Sequence, residues 1–220
     1  PVRERFPDRI LNAGIAEQGM IGMAAGLAAT GRIVFVYSIG NFPTIRPLEQ
    51  IRNDCVYHSA DVKIVCVGGG FVYGSLGMSH HATEDMAILR ALPGVTVFTP
   101  GDPYEVEAIV PVMLKTPGTC YLRLGRGGEP CLHEGPIADY QPPKALTLRE
   151  GKDVALLSVG GILTQVVGAA KLLEEQGVSA EVVSFPCIKP IDGEKIKTCI
   201  GCKSCSIMSG FGGAGAFSDG

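Results

Sequence analysis

The stretch VKIVCVGGG, residues 62–70, is a short apolar run that ends in three glycines. A run of this length, rich in β-branched residues and bounded by glycine, predicts a β-strand that is buried on both faces. Such strands are typical of parallel sheets, which helices cover on each side. The stretch therefore predicts an α/β fold in which a glycine-rich loop follows the carboxyl end of a strand.

The segments around this strand alternate between helix and strand, which extends the prediction to a parallel sheet covered by helices on both faces. Asp102 before Pro103 predicts the start of one helix, because Asp is a favoured N-cap and Pro fits the first helical position. The predicted strands are residues 32–38, 62–68, 95–100 and 118–125, and the predicted helices are residues 16–31, 48–57, 82–92 and 102–115.

The pattern changes near residue 130, where proline, glycine and charged residues replace the regular alternation. A second α/β unit begins at Asp153 with strand 153–160, helix 161–177 and strand 179–186. One strand–helix–strand unit is too small to close its own sheet, so we expect its missing parts to come from another chain or a longer protein. The predicted division is a domain at residues 1–130, a linker at 131–152 and an incomplete α/β domain at 153–220.

Composition excludes several classes of partner. The net charge of −3, without any run of Lys or Arg, argues against a nucleic-acid-binding protein. No apolar run reaches the roughly 18–20 residues that a membrane span needs. The first residues, PVRERFPDR, resemble neither a signal peptide nor a basic presequence. We expect a cytoplasmic protein, in which the eight cysteines are thiols.

Three loops follow predicted strands and are expected to meet at one edge of the sheet, where ligands of such folds bind. YSIGNF (37–42) offers two aromatic rings, and GGGFVYGSLGMSHH (68–81) offers a flexible backbone and two histidines. YLRLGRGGEP (121–130) offers two arginines, whose planar guanidinium groups suit phosphate or carboxylate. Taken singly, each loop could be an ordinary turn, and the histidines and arginines could be solvated. The candidate residues are Tyr37, Phe42, His80, His81, Arg123 and Arg126.

Glu17 stands alone among small and apolar residues in NAGIAEQGM, residues 12–20. It could simply balance the positive end of a helix, where acidic residues are favoured. Alternatively, it is a buried catalytic acid. The chain contains neither GxGxxG after a first strand nor GxxxxGK[ST], so dinucleotide-binding and P-loop functions have no support.

Four segments together resemble the pyrimidine-binding domain of the transketolase family, in order and in spacing, over about residues 5–130. They are DRILNAGIAEQGMIGMAAGLAATG (8–31), YSIGNFPTIRPLEQIRND (37–54), GMSHHATEDMAILRALPGVTVFTPGDPYE (77–105) and LRLGRG (122–127). Residues 153–192, with FPCIKPID (185–192), resemble the start of that family's C-terminal domain.

The resemblance implies a thiamine diphosphate enzyme that transfers a two-carbon ketol unit between phosphorylated sugars. In this family the acid that matches Glu17 contacts N1′ of the aminopyrimidine and helps to generate the cofactor's carbanion. An apolar pocket would keep that acid protonated. Phe42, with Tyr37, matches the aromatic residue that stacks on the pyrimidine. His80 matches a histidine of the substrate channel, and Arg126 matches the residue that binds the substrate's phosphate.

The family holds the diphosphate and Mg²⁺ through a separate domain, whose GDG…N signature this sequence lacks. The resemblance therefore implies a partner chain or domain, in a homodimer or heterotetramer. Leu76 and Gly68 stand where transketolases carry an Asp and a His that contact sugar hydroxyls, so the sugars could differ. The alternatives are a β subunit of a 2-oxoacid dehydrogenase, a deoxyxylulose-phosphate-synthase-like enzyme and a non-catalytic relative.

The segment CIGCKSC carries Cys199, Cys202 and Cys205 at the spacing of the first three ligands of a ferredoxin cluster. A metal centre there would need a fourth ligand, and Cys187 is the only nearby candidate. An iron–sulfur or zinc site and an ordinary chain segment remain the alternatives, and we assign no metal ligand.

Overall fold

The computed structural model describes residues 2–199, and the side chains of residues 2–196. Two sheets and seven helices are formed within this range. The helices are α1 (Val2–Arg5), α2 (Glu17–Ala28), α3 (Leu48–Gln50), α4 (Asp85–Ala91), α5 (Pro103–Lys115), α6 (Leu163–Glu175) and α7 (Gly193–Cys199). The strands are β1 (Val34–Ile39), β2 (Val62–Val67), β3 (Thr96–Phe98), β4 (Cys120–Leu124), β5 (Leu146–Arg149), β6 (Val154–Ser158), β7 (Ala180–Ser184) and β8 (Cys187–Lys189).

The first sheet has the strand order β1-β2-β4-β3-β8. The four strands β1 to β4 are parallel, and β8 pairs antiparallel with β3. In register, Val34 pairs with Val62 and Ile39 with Val67, so β1 and β2 begin and end together. The carboxyl ends of β1, β2 and β4 consequently lie at one edge of the sheet.

The second sheet has the order β5-β7-β6, with β6 and β7 parallel and β5 antiparallel to β7. It packs against the first sheet, because Val183 and Phe185 belong to the same buried core as Ile64 and Val97. A backbone hydrogen bond also links the two sheets, since Gly160 N, just after β6, donates to Thr99 O, just after β3, at 3.1 Å. Of the helices within residues 2–199, none has the length and apolar character to cross a bilayer.

The α/β class and the helix-covered parallel sheet are confirmed, and the differences lie in short elements. The segment predicted as a linker contains β5, which the four residues LTLR form by adding to the edge of β7. The predicted helix at 48–57 is three α-helical residues followed by a π-helix, Ile51–Val56. Both β5 and β8 gain their backbone pairing from distant strands, so local sequence carries little signal for them.

Asp102 caps α5 as predicted, because its Oδ1 accepts a hydrogen bond from Glu105 N at 2.9 Å and Pro103 opens the helix. Cys66 is fully buried on β2, as expected of a small core residue. The described cysteines Cys55, Cys66, Cys120, Cys131 and Cys187 are all free thiols.

Lys63 is a fully buried charged residue at the amino end of β2. Its Nζ donates to Thr116 O at 2.6 Å and Gly118 O at 2.8 Å, and it lies 2.5 Å from Asp61 Oδ1. The ammonium group therefore satisfies the carbonyls that follow α5 and ties that turn to the sheet. A buried charge is tolerated in this way because all of its donors are used.

Lys63→Met should lower the free energy of unfolding by about 3 kcal/mol, because the two carbonyls would lose their donor inside the protein. Urea denaturation of the variant measures the change. Lys115→Met, at an exposed position on the last turn of α5, is the matched control and should stay close to the parent. An equal loss in both variants would contradict the role given to Lys63.

Candidate functional site

Three loops meet at the carboxyl edge of the first sheet, and backbone hydrogen bonds join them. Gly40 N donates to Val67 O at 2.7 Å, which ties the loop after β1 to the end of β2. Gly68 N donates to Leu124 O at 3.0 Å, which ties the loop after β2 to the end of β4. The three stretches singled out from the sequence are thus neighbours in the fold.

Glu17 is the first residue of α2, and it is only 7% exposed. Its Oε2 accepts a hydrogen bond from Arg46 Nη1 at 2.7 Å, which is an ion pair. The apolar pocket expected from the sequence is therefore incomplete, because a guanidinium group faces the carboxyl group. Sequence reasoning missed Arg46. The one available signal was its place four residues after Phe42, in the stretch that carries the resemblance.

Phe42 contacts both His80 and Arg46, the residue that pairs with Glu17. The Arg46 guanidinium carbon lies 4.6 Å from the centre of the Phe42 ring, a cation–π contact. The His80 ring makes an edge contact with the Phe42 ring. The centroids of the two rings are 5.1 Å apart, and their planes meet at 70°. His80 Nδ1 lies 3.0 Å from Ser79 Oγ. A carboxyl group, an aromatic ring and an imidazole thus form one connected group, with Arg46 between the first two.

Arg126 is exposed after β4, and its guanidinium lies over the ring of Tyr73 at 5.6 Å. Its backbone N donates to Glu129 Oε1 at 2.8 Å, so Glu129 fixes the turn and leaves the side chain of Arg126 available. Tyr73 is a residue that sequence reasoning missed. Its ring fills the space beside Gly68, where an added Cβ would come within 2.2 Å of it.

Tyr37 lies on the edge strand β1 and is 63% exposed. Within the described part of the chain, no ring contact joins Tyr37 to Phe42, and no hydrogen bond or cation–π contact joins Arg126 to His80. Leu76 is exposed in the loop after β2. Cys202 and Cys205 lie outside the described residues, as does the side chain of Cys199, so that cluster is not placed.

Asp102, Glu105 and His133 form a group with the composition of a metal site, and it is the one such group found among the described residues. Each carboxylate oxygen in it already accepts a hydrogen bond. Asp102 accepts from Glu105 N, Leu132 N and His133 N. Glu105 accepts from Gly101 N and from His133 Nε2, the latter at 2.9 Å. The group therefore acts as a clasp that fastens residues 132–133 to the start of α5.

The hydrogen bond to Glu105 raises the pKa of His133, and the negative charges of Glu105 and Asp102 act in the same direction against burial. A histidine whose pKa is raised by folding stabilises the protein fully below its unfolded pKa. That stabilisation is lost as the pH rises through the folded pKa.

Between pH 6 and 8.5 the parent protein should therefore lose on the order of 1 kcal/mol of unfolding free energy that His133→Asn does not lose. Urea denaturation at several pH values measures the difference. His58→Asn, at an exposed histidine, is the control and should follow the parent. If His133→Asn keeps the parent's pH dependence, the clasp does not depend on imidazole charge.

Two family models match the chain, and together they include most of it. The transketolase pyrimidine-binding domain matches residues 2–128, and the transketolase C-terminal domain matches residues 143–213. The chain belongs to the transketolase family. The first of the two matched ranges contains Glu17, Phe42 and His80.

Relatives within the family include chains named as parts or subunits of transketolases. One from Methanocaldococcus jannaschii, named for a transketolase C-terminal section, is 39% identical over 96% of this chain and 68% of its own length. One of the subunits of an apulose-4-phosphate transketolase from Phocaeicola vulgatus is 36% identical over 88% of this chain and 62% of its own length. The chain thus spans about two thirds of the length of these relatives.

A solved split-gene transketolase, described as an inactive β4 tetramer, superposes on this chain with a TM-score of 0.83. The two are 36% identical, and the match covers 93% of this chain and 66% of the other. The fold and its family are therefore supported by sequence and by structure.

Transketolase family membership implies dependence on thiamine diphosphate, and the site fits one half of that cofactor. A buried carboxyl group and an aromatic ring suit an aminopyrimidine, which offers ring nitrogens and a flat face. Among the side chains of residues 2–196, the group with the composition of a metal site is Asp102, Glu105 and His133. That group holds residues 132–133 at the start of α5 and does not include Glu17. The residues around Glu17 and Phe42 fit the pyrimidine end of the cofactor.

Proposed function

We propose that this chain is the pyrimidine-binding subunit of a two-chain transketolase that transfers a two-carbon ketol unit between phosphorylated sugars. The proposal depends mainly on one observation, the connected group of Glu17, Arg46, Phe42 and His80 at the carboxyl edge of the sheet. Bound thiamine diphosphate supplies a nucleophilic carbon and an electron sink, which no amino-acid side chain provides.

Each residue of the group has a distinct part in this proposal. Glu17 holds or gives a proton at its carboxyl group, toward the pyrimidine nitrogen that faces it. Phe42 presents a flat apolar face and excludes water from it. His80, at the edge of that face, binds and orients the substrate near the reacting carbons. Tyr37 is the second proposed stacking residue, and it is 63% exposed on β1.

Arg126 is proposed to bind the phosphate of the sugar. Its guanidinium carries no carboxylate partner among the described residues, and Tyr73 supports it from one side. By contrast, Arg123 is paired with Asp85 at 2.8 Å, so its charge is already balanced. One relative of this chain is named for the phosphorylated sugar apulose 4-phosphate, which is consistent with a phosphate-binding arginine.

A partner chain is proposed to complete the site with the diphosphate and Mg²⁺ ligands. Apolar side chains just before Glu17 in the chain are strongly exposed, as Leu11 (69%) and Ile15 (93%) illustrate. Exposed apolar patches of this kind mark surfaces that another protein covers. If the missing half is a separate chain, two such pairs would form a heterotetramer, and if it is a further domain of the same protein, two copies would form a homodimer.

Isothermal calorimetry with thiamine diphosphate and Mg²⁺ tests the division of the site between two chains. We expect the isolated chain to bind the cofactor at least about 100-fold more weakly than the complex with its partner, because the charged end of the cofactor lacks ligands here. The partner is obtained by co-purification from the native source. Tight binding by the chain alone would overturn the two-chain assignment.

A further inference from the structure

Asp85, in the first turn of α4, is a fully buried carboxylate that the proposed chemistry does not use. Its Oδ2 accepts hydrogen bonds from Tyr121 Oη and, at 2.8 Å, from Arg123 Nε. Its Oδ1 is buried without a hydrogen-bond partner within the described part of the chain. Burying a carboxylate is costly unless its interactions compensate, so its position needs an explanation.

Arg123 uses the rest of its guanidinium to hold the loop that follows β2. Its Nη2 donates to Ala82 O at 2.8 Å, at the far end of the loop. The guanidinium also lies flat beside Gly69, where an added Cβ would come within 2.5–2.8 Å of it. Gly70 and Ala82 exchange two backbone hydrogen bonds of 2.8 and 2.9 Å, which close the loop. Arg123 therefore contacts both ends of the loop at once.

The loop closed by Arg123 carries His80. The carbonyl oxygen of His80 lies beside Gly40, where an added Cβ would be 3.1 Å from it. Because Gly40 belongs to the loop that carries Phe42, the loop position determines how the His80 ring meets the Phe42 ring. A shift of the loop after β2 would move His80 without disturbing the sheet.

We propose that Asp85 and Arg123 are positioning residues: the buried carboxylate orients the guanidinium, which fixes the His80 loop against Phe42. The inference goes beyond the proposed function and rests on it only for the activity measurements below. Arg123 is proposed to position the loop, whereas Arg126 is proposed to bind substrate. Asp85 balances the charge of Arg123, and the guanidinium of Arg123 donates hydrogen bonds to Asp85 and to Ala82 O.

Hydrogen exchange tests the loop without reference to activity. In Asp85→Asn, the amides of Gly70 and Ala82 should exchange about tenfold faster or more, while the amides of β2 keep their protection. Tyr121→Phe removes one hydrogen bond to Asp85 and should show the same pattern to a smaller extent, which covers the case in which Asp85→Asn does not fold. Asp192→Asn is the control, because Asp192 binds the backbone of Ala145 and Lys195, in another part of the fold.

Kinetics of the complex with its partner separate positioning from general stability. Asp85→Asn should lower kcat by about 10–100-fold and leave KM for a ketose phosphate within about threefold of the parent, because Arg126 is untouched.

Chemical rescue tests the role of the Arg123 guanidinium. In Arg123→Ala, added ethylguanidinium should restore part of kcat, and ethylammonium should not, because only the planar ion can reach both Asp85 and Ala82.

The proposal is overturned if loop protection and kcat stay unchanged in Asp85→Asn and Tyr121→Phe, or if protection falls equally across the core amides. It is also overturned if the two added cations restore kcat equally. Absence of ketol transfer in the parent complex would instead refute the proposed function, and the hydrogen-exchange result would still decide the role of Asp85 and Arg123.

Discussion

Glu17→Gln should lower kcat of the reconstituted two-chain enzyme by about 10²–10⁴-fold, the usual contribution of a group that transfers a proton during catalysis. Glutamine keeps the shape of the side chain and can still accept a hydrogen bond from Arg46. It has no acidic proton to give. The fold and the affinity for the partner should therefore stay close to those of the parent, and only turnover should fall.

The measurement is steady-state ketol transfer, together with the exchange rate of the C2 proton of bound thiamine diphosphate. Glu49→Gln is the matched control, because Glu49 is exposed on α3 in the same region and should retain full activity. Parent-like C2 proton exchange in Glu17→Gln would show that Glu17 has no part in activating the cofactor.

Arg46 contacts both Glu17 and Phe42, so it is expected to affect cofactor binding. The guanidinium of Arg46 lies 2.7 Å from Glu17 Oε2, so it occupies a position on the carboxyl group that the pyrimidine nitrogen would share in the proposed role. Arg46 also lies on the ring of Phe42, where it shares space with any flat group that stacks there. In the proposed function, Arg46 therefore competes for space with the cofactor at both Glu17 and Phe42.

Arg46→Gln tests this idea directly. If the ion pair competes with cofactor binding, the variant complex should bind thiamine diphosphate about 3–10-fold more tightly, since an ion pair of a half-exposed arginine contributes about 1 kcal/mol. Calorimetry of the complex measures the change. Weaker binding in Arg46→Gln would mean that Arg46 helps to hold the cofactor.

The strands that carry the site could be predicted because each has a strong local signal. VKIVCV of β2 is apolar in all but one position, and glycine marks its end, so both the strand and the following loop were visible in the sequence. β5 and β8 had no such signal. Their residues become strands because β7 and β3 offer unpaired edges, and pairing with a distant segment is invisible to a local pattern.

In the candidate site too, some residues could be proposed from local sequence and others depend on contacts between distant segments. Glu17, Phe42 and His80 were proposed from the sequence through the family resemblance, and the structure brings the loops of Phe42 and His80 together at the ends of parallel strands. Arg46 and Tyr73 were missed, because their importance comes from contacts across loops. Tyr73 occupies the space left by Gly68, so the glycine that looked like a lost family residue is also a place where another side chain packs. The packing of Tyr73 beside Gly68 can be seen only in the structure, because the sequence does not show which side chain fills the space next to a glycine.

Arg126→Ala should raise KM for a phosphorylated sugar by about 10–150-fold, because a charge-assisted contact between guanidinium and phosphate contributes about 1.5–3 kcal/mol. The guanidinium of Arg126 has no carboxylate partner in the described part of the chain, and Tyr73 supports it at the ligand-binding edge. Removing it should leave the fold intact, since its backbone contact with Glu129 does not depend on the side chain.

The comparison of two substrates in this variant decides the role of Arg126. KM for an unphosphorylated analogue should hardly change, and His80→Ala should instead lower kcat for both substrates, because His80 acts near the reacting carbons. Arg126→Lys should recover part of the affinity for the phosphorylated sugar, since lysine keeps the charge and loses the bidentate geometry. Arg52→Ala, at an exposed arginine on the π-helix, should leave both KM values unchanged. If Arg126→Ala weakens both substrates equally, Arg126 supports the loop and the sugar-phosphate assignment loses its main residue.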